Sequence, residues 1–147
     1  MRKMLSATLV FVFLFAISLS SAKNMLSAGE TDVQDVIAGF VKDVDTRNAD
    51  ALSKTVISNG SIVVYNSLLN KFDTYSGSQF VDLVRNGQKG GWERNVAVSS
   101  IEVNGNTATA KVDITDPRLK ETGYVTLIND NGTWKLTSEV ATLSLNK

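Results

Sequence analysis

IEVNGNTATAKVDIT, residues 101–115, is the stretch of sequence that decides the fold. Its second half alternates between polar and apolar side chains, and the apolar members are Ala108, Ala110, Val112 and Ile114. Successive side chains of a β-strand point to opposite faces, so the alternation predicts a strand over 107–115 with one buried face. The Asn104-Gly105 pair before it is typical of a tight hairpin turn. The stretch therefore predicts two antiparallel strands with a strongly set register.

The flanking residues extend this pair into an antiparallel meander of four strands that starts near residue 92. In the strand before the turn, the apolar residues change parity once, between Val98 and Ile101. A β-bulge at Ser99-Ser100 would return them to one continuous face. After the central strand, two more strands are predicted over 124–128 and 134–143, joined by a hairpin at 130–132.

The N-terminal half predicts helices. Thr31 and Gln34 match a capping box, so a first helix is expected to begin at Thr31. Its apolar residues recur at helical spacing and form one stripe, made of Val33, Val36, Ile37, Phe40, Val41 and Val44. A second short helix capped by Asp50, strands over 60–65 and 71–75, and a third helix capped by Ser76 or Ser78 follow. The order of elements predicts a single α+β domain.

The first 22 residues resemble an export signal. Arg2 and Lys3 form a basic start, residues 9–17 an apolar run, and Ser20-Ser21-Ala22 a small-residue exit, so we expect cleavage after Ala22. Nine apolar residues are about half of the ~20 that a membrane-spanning helix needs, which favours a cleaved signal over an anchor. We expect residues 23–30 to be a flexible lead-in, residues 31–147 the domain, and the protein to be periplasmic or secreted.

Composition excludes several classes of function. Without Arg2 and Lys3, 13 basic residues face 15 acidic ones, a net charge of −2, and their even distribution argues against nucleic-acid binding. The chain has no Cys and no His. This removes disulfides, thiol nucleophiles, Ser-His-Asp triads and the common zinc sites, and Lys23 stands where a lipoprotein carries its Cys. We expect neither a metal nor a cofactor.

Three segments carry a family resemblance: Asn48-Ala49-Asp50-Ala51-Leu52, residues 101–112, and Gly132-Thr133-Trp134-Lys135-Leu136. With the order of elements, they resemble the nuclear-transport-factor-2-like superfamily, and within it the putative lumazine-binding or SnoaL-like polyketide-cyclase branch. The resemblance spans roughly Asp32 to Thr142. It implies a cystatin-like cone in which a strongly curved, mostly antiparallel sheet holds the N-terminal helices in its concave face. It also implies a cavity for a small ligand inside the cone.

The favoured hypothesis is non-enzymatic binding of a small, partly apolar ligand in that cavity. Aromatic side chains suit the walls of such a site, and the candidates are Phe40, Tyr65, Trp92 and Tyr124. Core packing is the competing interpretation for each of them. Trp92 is the most suggestive because it follows Gly90-Gly91 at the junction of a loop and a strand.

Two alternatives remain open. An isomerase, cyclase or dehydratase would need a buried carboxylate, for which Asp113 and Glu139 are the candidates, although the absent His departs from cyclases that use a His-Asp pair. Asp113 enters the cone only if the apolar face of its strand looks outward. Alternatively, the protein is a dimeric interaction module whose cone is filled by its own side chains. Apolar residues on both faces of the strand over 124–128 would support a homodimer through the outer face of the sheet.

Overall fold

The computed structural model describes residues 26–147, and the predicted export signal lies outside them. In this part of the chain three helices and six strands follow in the order α1 (Ala28–Asp45), α2 (Ala49–Thr55), β1 (Val56–Asn66), β2 (Lys71–Ser76), α3 (Gly77–Arg85), β3 (Asn95–Asn104), β4 (Thr107–Thr115), β5 (Leu119–Asp130) and β6 (Thr133–Leu145). No helix within residues 26–147 has the length and apolarity needed to cross a membrane. The predicted α+β order is confirmed.

The first helix begins at Ala28, three residues before the predicted start at Thr31, and so shortens the expected lead-in. Its cap is Ser27, whose hydroxyl accepts from the Glu30 N–H while the Glu30 carboxylate accepts from the Ser27 N–H. Ser27 and Glu30 thus form the capping box that had been predicted at Thr31 and Gln34. A carboxylate in the first turn is further favoured by the helix dipole.

Of the predicted caps of the other two helices, one is wrong and one is confirmed. The side chain of Asn48, and not that of Asp50, caps α2 by accepting from the Ala51 N–H. Ser76, one of the two predicted caps of the third helix, caps α3 in a capping box with Gln79. Helix α3 is therefore continuous with the end of β2, where Ser76 is the last residue.

All six strands join one sheet in the order β2-β1-β6-β5-β4-β3, in which only the β1–β6 pair is parallel among residues 26–147. The predicted four-stranded meander is β3 to β6. The predicted bulge is also present, because the register of β3 on β4 shifts between Ser99 and Glu102, and Ser100 has a φ of 50°. One extra residue there lets Val96, Val98 and Ile101 all pack against the core.

Strand β3 begins at Asn95, later than the predicted residue 92. The cause is a tertiary contact, since the Arg94 N–H donates to the Asp45 carboxylate at 2.8 Å and holds the chain against the end of α1. Strand β1 begins earlier than predicted, at Val56, which pairs with Leu136 of β6 before the register shifts. Both boundaries were set by partners that are distant in the sequence.

The helices cover one face of the sheet, here called the inner face. Its buried side chains from β4 to β6 include Ala108, Ala110, Val112, Ile114, Val125, Leu127 and Leu136, which join the α1 stripe in one core. The outer face carries Tyr124, Val140 and Phe72, which are 62%, 60% and 71% exposed. The apolar face of β4 therefore looks inward, and Asp113 points outward.

Candidate functional site

A cavity of about 220 Å³ opens between α1, the loop after α3 and the inner face of the sheet. Its walls are largely apolar and comprise Phe40, Val44, Val64, Tyr75, Phe80, Trp92, Ile114, Leu119 and Leu143. Its polar lining is Asn66, Asp73, Lys89, Arg94, Asp116, Glu121 and Glu139. Apolar walls with a few polar groups are typical of small-ligand sites, and this volume lies below the ~300–1,000 Å³ of drug-sized pockets. It suits a ligand of one or two small rings.

Aromatic rings form one side of the cavity because three elements bring them together. Phe40 of α1 and Phe80 of α3 are stacked with centroids 5.9 Å apart, and Tyr75 of β2 lies 6.3 Å from Phe80. Phe40 is on the buried stripe that helical spacing had identified. The cluster offers flat surfaces against which a planar ligand can pack.

The loop over residues 86–94 forms the edge of the cavity, and Arg47 holds it in place. The Arg47 guanidinium donates to the carbonyls of Gly87 and Gly90 at 3.1 Å each and to that of Lys89 at 3.4 Å. The Gly91 N–H donates to the Asp45 carbonyl at 2.9 Å. These contacts set Trp92, which is 47% exposed, with part of its side chain in the cavity wall and part in solvent.

Gly90 is required where this loop passes α1. Its φ is +73°, and a Cβ on it would lie 1.8 Å from the Val44 carbonyl oxygen. Any side chain would therefore both adopt a strained backbone conformation and clash with main-chain atoms. The close approach of loop and helix closes the side of the cavity next to Val44.

Two glutamates meet on the inner face of the sheet. Strand register pairs Val125 with Glu139 and Gly123 with Ala141, so Glu121 and Glu139 lie on one face on either side of the small Gly123–Ala141 pair. Glu139 is 5% exposed, yet no described residue forms a salt bridge with it or with Glu121.

Burial raises the pKa of Glu139 well above its usual range, because water no longer solvates the charged form. The Glu121 carboxylate and its hydrogen bond with Glu139 raise the pKa further, and the positive charge of Arg94 lowers it. Glu139 therefore keeps its proton to higher pH than an ordinary glutamate, and it belongs to an acid pair that faces the cavity. Such a group can donate a hydrogen bond, give up its proton, or bind a positive charge.

The neighbouring charges are already matched by other groups. Arg94 Nε lies 2.6 Å from Asp45 Oδ1, and both side chains are nearly buried. The Asp116 carboxylate accepts from the N–H groups of Arg118 and Leu119 at 2.7 and 2.8 Å, and these bonds lower its pKa. Within residues 26–147, no group of three or more acidic side chains is placed to hold a metal ion.

The structure separates the aromatic residues named from the sequence. Phe40 and Trp92 line the cavity. Tyr65 is on the outer face, where its ring lies 5.0 Å from Phe72 and its hydroxyl bonds to Asn70 at 2.8 Å. Tyr124 is also on the outer face, because the adjacent Val125 occupies the buried position. These two tyrosines do not line this cavity.

The two acidic candidates separate in the same way. Glu139 lines the cavity, whereas Asp113 bonds to Thr122 and Lys120 on the outer face. The Thr122 hydroxyl is the main cause of a lowered pKa at Asp113. Sequence reasoning missed Glu121, although the parity of Leu127 and Val125, continued back through Gly123, leads to it. No local pattern indicated Arg94.

Comparison with solved structures shows the fold. A nuclear-transport-factor-2-like protein of unknown function from Silicibacter pomeroyi aligns with a TM-score of 0.67 at 16% identity, over 82% of this chain and 100% of that one. A similar protein from Shewanella baltica aligns at 0.65 and 17%, over 84% and 99%. One with a cystatin-like fold from Novosphingobium aromaticivorans aligns at 0.58 and 17%, over 77% and 80%. Such low identities establish the architecture alone.

No curated protein matches the chain. The family model described as putative lumazine-binding matches residues 28–140, which include all three helices and nearly all of the sheet. Both parts of the predicted resemblance are thereby confirmed. The chain belongs to the putative lumazine-binding family, and its architecture is that of nuclear-transport-factor-2-like proteins.

Proposed function

We propose that this protein is an exported, non-enzymatic binder of a small, partly apolar ligand, held in the cavity between α1, α3 and the sheet. The observation that carries the proposal is the cavity itself, with aromatic rings on one side and its acid pair on the sheet. Family membership supports a ligand of this kind, since the family is described as lumazine-binding. Export rests on the pattern from Arg2 to Ala22.

The first experiment is native mass spectrometry of the mature protein from its exported fraction, followed by denaturing release of any bound compound. A stoichiometric compound that leaves on denaturation is the expected result. Lumazine and single-ring aromatic compounds are then titrated against the emptied protein. If the exported protein carries no bound compound and none of these probes binds to it, the proposal is overturned.

A pair of aromatic variants tests the position of the ligand. Trp92→Ala removes a cavity wall, whereas Tyr124→Ala removes an exposed ring on the outer face. We expect Trp92→Ala to weaken binding and Tyr124→Ala to leave it unchanged, with circular dichroism confirming that both fold. Equal affinities for the two variants would place the ligand elsewhere.

One observation favours a second candidate, an acid-base enzyme acting on a ketone-like or lactone-like substrate. Glu139 is buried, faces a cavity and has a raised pKa, and these are the properties of a general acid. Turnover also needs a donor for the developing negative charge, and Arg94 is already paired with Asp45. Binding needs only the walls and the acid pair, so it stands first. Substrate turnover that Glu139→Gln abolishes would reverse this order.

The outer face of the sheet supports a homodimer. Tyr124 and Val140 pair directly across β5 and β6, and Val140 pairs with Val63 of β1. Exposed apolar side chains in adjacent strands form a patch of the kind that mediates association. We propose this face as the contact between two copies of the chain.

A further inference from the structure

The polar side of the cavity has more acidic than basic groups. Four carboxyl groups line it, from Asp73, Asp116, Glu121 and Glu139, against the two cations of Lys89 and Arg94. An imbalance of this kind attracts positive charge, particularly where apolar walls lower the local dielectric constant.

Most of these groups have partners within the protein. Arg94 is bound to Asp45, Asp73 lies 3.0 Å from Lys71, and two main-chain N–H groups hold Asp116. The Lys89 ammonium lies over the Tyr75 ring, 5.4 Å from its centroid. What remains is the Glu121–Glu139 pair, to which the described chain supplies no salt-bridge partner.

The burial of Glu139 shows that it is not a solvent-exposed surface acid. Glu139 is buried on the inner face and lines the cavity. A buried carboxyl group either keeps its proton or is matched by a cation, because an unpaired buried charge costs stability. The space that a matching cation would occupy is the cavity.

The aromatic side of the cavity suits the same ligand. Faces of aromatic rings attract cations, and organic ammonium groups are commonly recognised in this way. Tyr75 already contacts one cation, the Lys89 ammonium, and Phe40, Phe80 and Trp92 line the rest of this side. An anion would instead meet two carboxyl groups and an arginine that is already paired.

We propose, on the basis of the proposed function, that the ligand is a small organic cation, an amine or amidine on a single flat ring. Its charged group lies against the Glu121–Glu139 pair and its ring against the aromatic walls. Binding displaces the proton of the pair, because an adjacent positive charge favours the ionised carboxyl group. The groups facing Glu139 that enter this balance are Glu121 of β5 and Arg94 before β3.

Three single-ring probes of similar size test the charge preference: benzylamine, benzyl alcohol and benzoate, titrated calorimetrically against the mature protein at pH 7. We expect benzylamine to bind at least about tenfold more tightly than benzyl alcohol, a difference of one opposite-charge contact, and benzoate to bind most weakly. The affinity of benzylamine should also rise with pH, by up to about tenfold per pH unit until the pair is ionised.

Variants assign the preference to the pair. Glu139→Gln and, independently, Glu121→Gln should each reduce the preference for benzylamine over benzyl alcohol, while Asp113→Asn on the outer face should preserve it. If benzyl alcohol or benzoate binds as tightly as benzylamine, the inference fails and the proposed binding function stands. If none of the three binds, the inference fails, and the proposed function is decided separately by native mass spectrometry and the lumazine titration. A preference that survives both glutamine variants would also overturn the inference.

Discussion

Replacing Glu139 by Gln should change how the stability of the protein depends on pH. Burial and the Glu121 carboxylate raise the pKa of Glu139 in the folded state, whereas in the unfolded chain it returns to about 4.3. Between these two pKa values the folded protein holds a proton that the unfolded chain has lost. The free energy of unfolding therefore falls as pH rises through this range, and is level above it.

The magnitude follows from the binding of one proton. The slope approaches about 1.4 kcal/mol per pH unit within the range, which is large against a typical total stability of about 5–15 kcal/mol. Glutamine has the same shape, stays neutral at every pH, and can donate a hydrogen bond to Glu121. The variant should lack this slope, so its stability relative to the wild type should increase as pH rises above about 5.

Urea unfolding followed by tryptophan fluorescence at pH 5, 6, 7 and 8 measures the effect. Asp113, Asp116 and Asp130 have lowered pKa values, so their contributions are lost only in more acidic solution. Burial also raises the pKa of Asp43, but this group is common to both proteins and cancels in the difference. Asp113→Asn is the control and should keep the wild-type slope. Parallel curves for wild type and Glu139→Gln would refute the reasoning.

Three further predictions concern the loop and the outer face. Arg47→Ala removes donors to three loop carbonyls, so amide hydrogen exchange over residues 86–92 should accelerate while exchange in β4 stays unchanged; equal protection in both proteins would contradict the role of Arg47. Gly90→Ala should destabilise the fold by well over 1 kcal/mol, and Gly105→Ala, with a φ of +59° and open space around it, by only about 1 kcal/mol in thermal unfolding. Similar losses would argue against the Val44 clash. Val140→Lys should convert a dimer to a monomer in sedimentation equilibrium, whereas Lys135→Ala on the same strand should not; a wild type that is monomeric at all concentrations would refute the interface.

The sheet could be predicted from the sequence because the alternation of side chains is a local property. Strand β4 has the predicted bounds, and the bulge at Ser99-Ser100 followed from parity alone. Helix starts were harder to predict, since two possible capping boxes, Ser27–Glu30 and Thr31–Gln34, follow one another directly in the sequence. The competition was decided by the Glu30 carboxylate, which reaches the N–H of Ser27.

The site could be predicted only in part. Periodicity identified Phe40, and parity with Ala141 identified Glu139, but the exposure of Tyr124 follows from the burial of its neighbour Val125. The predicted strand also started too late, at residue 124, and therefore left out Glu121. The Asp45–Arg94 pair joins residues 49 positions apart, and no local pattern contains such a contact.

The acid pair is best explained by a ligand, because folding alone gives no reason for it. A hydrophobic side chain in place of a buried charge often leaves a protein equally or more stable, so Glu139 is a costly residue at this position. The surrounding structure reduces the cost in one specific way, since Arg94 lies near enough to lower the pKa of Glu139. Ionisable groups that line a cavity and have perturbed pKa values are candidates for functional sites. Under the proposed function, the same acid pair that lowers stability at neutral pH is the one that selects the ligand.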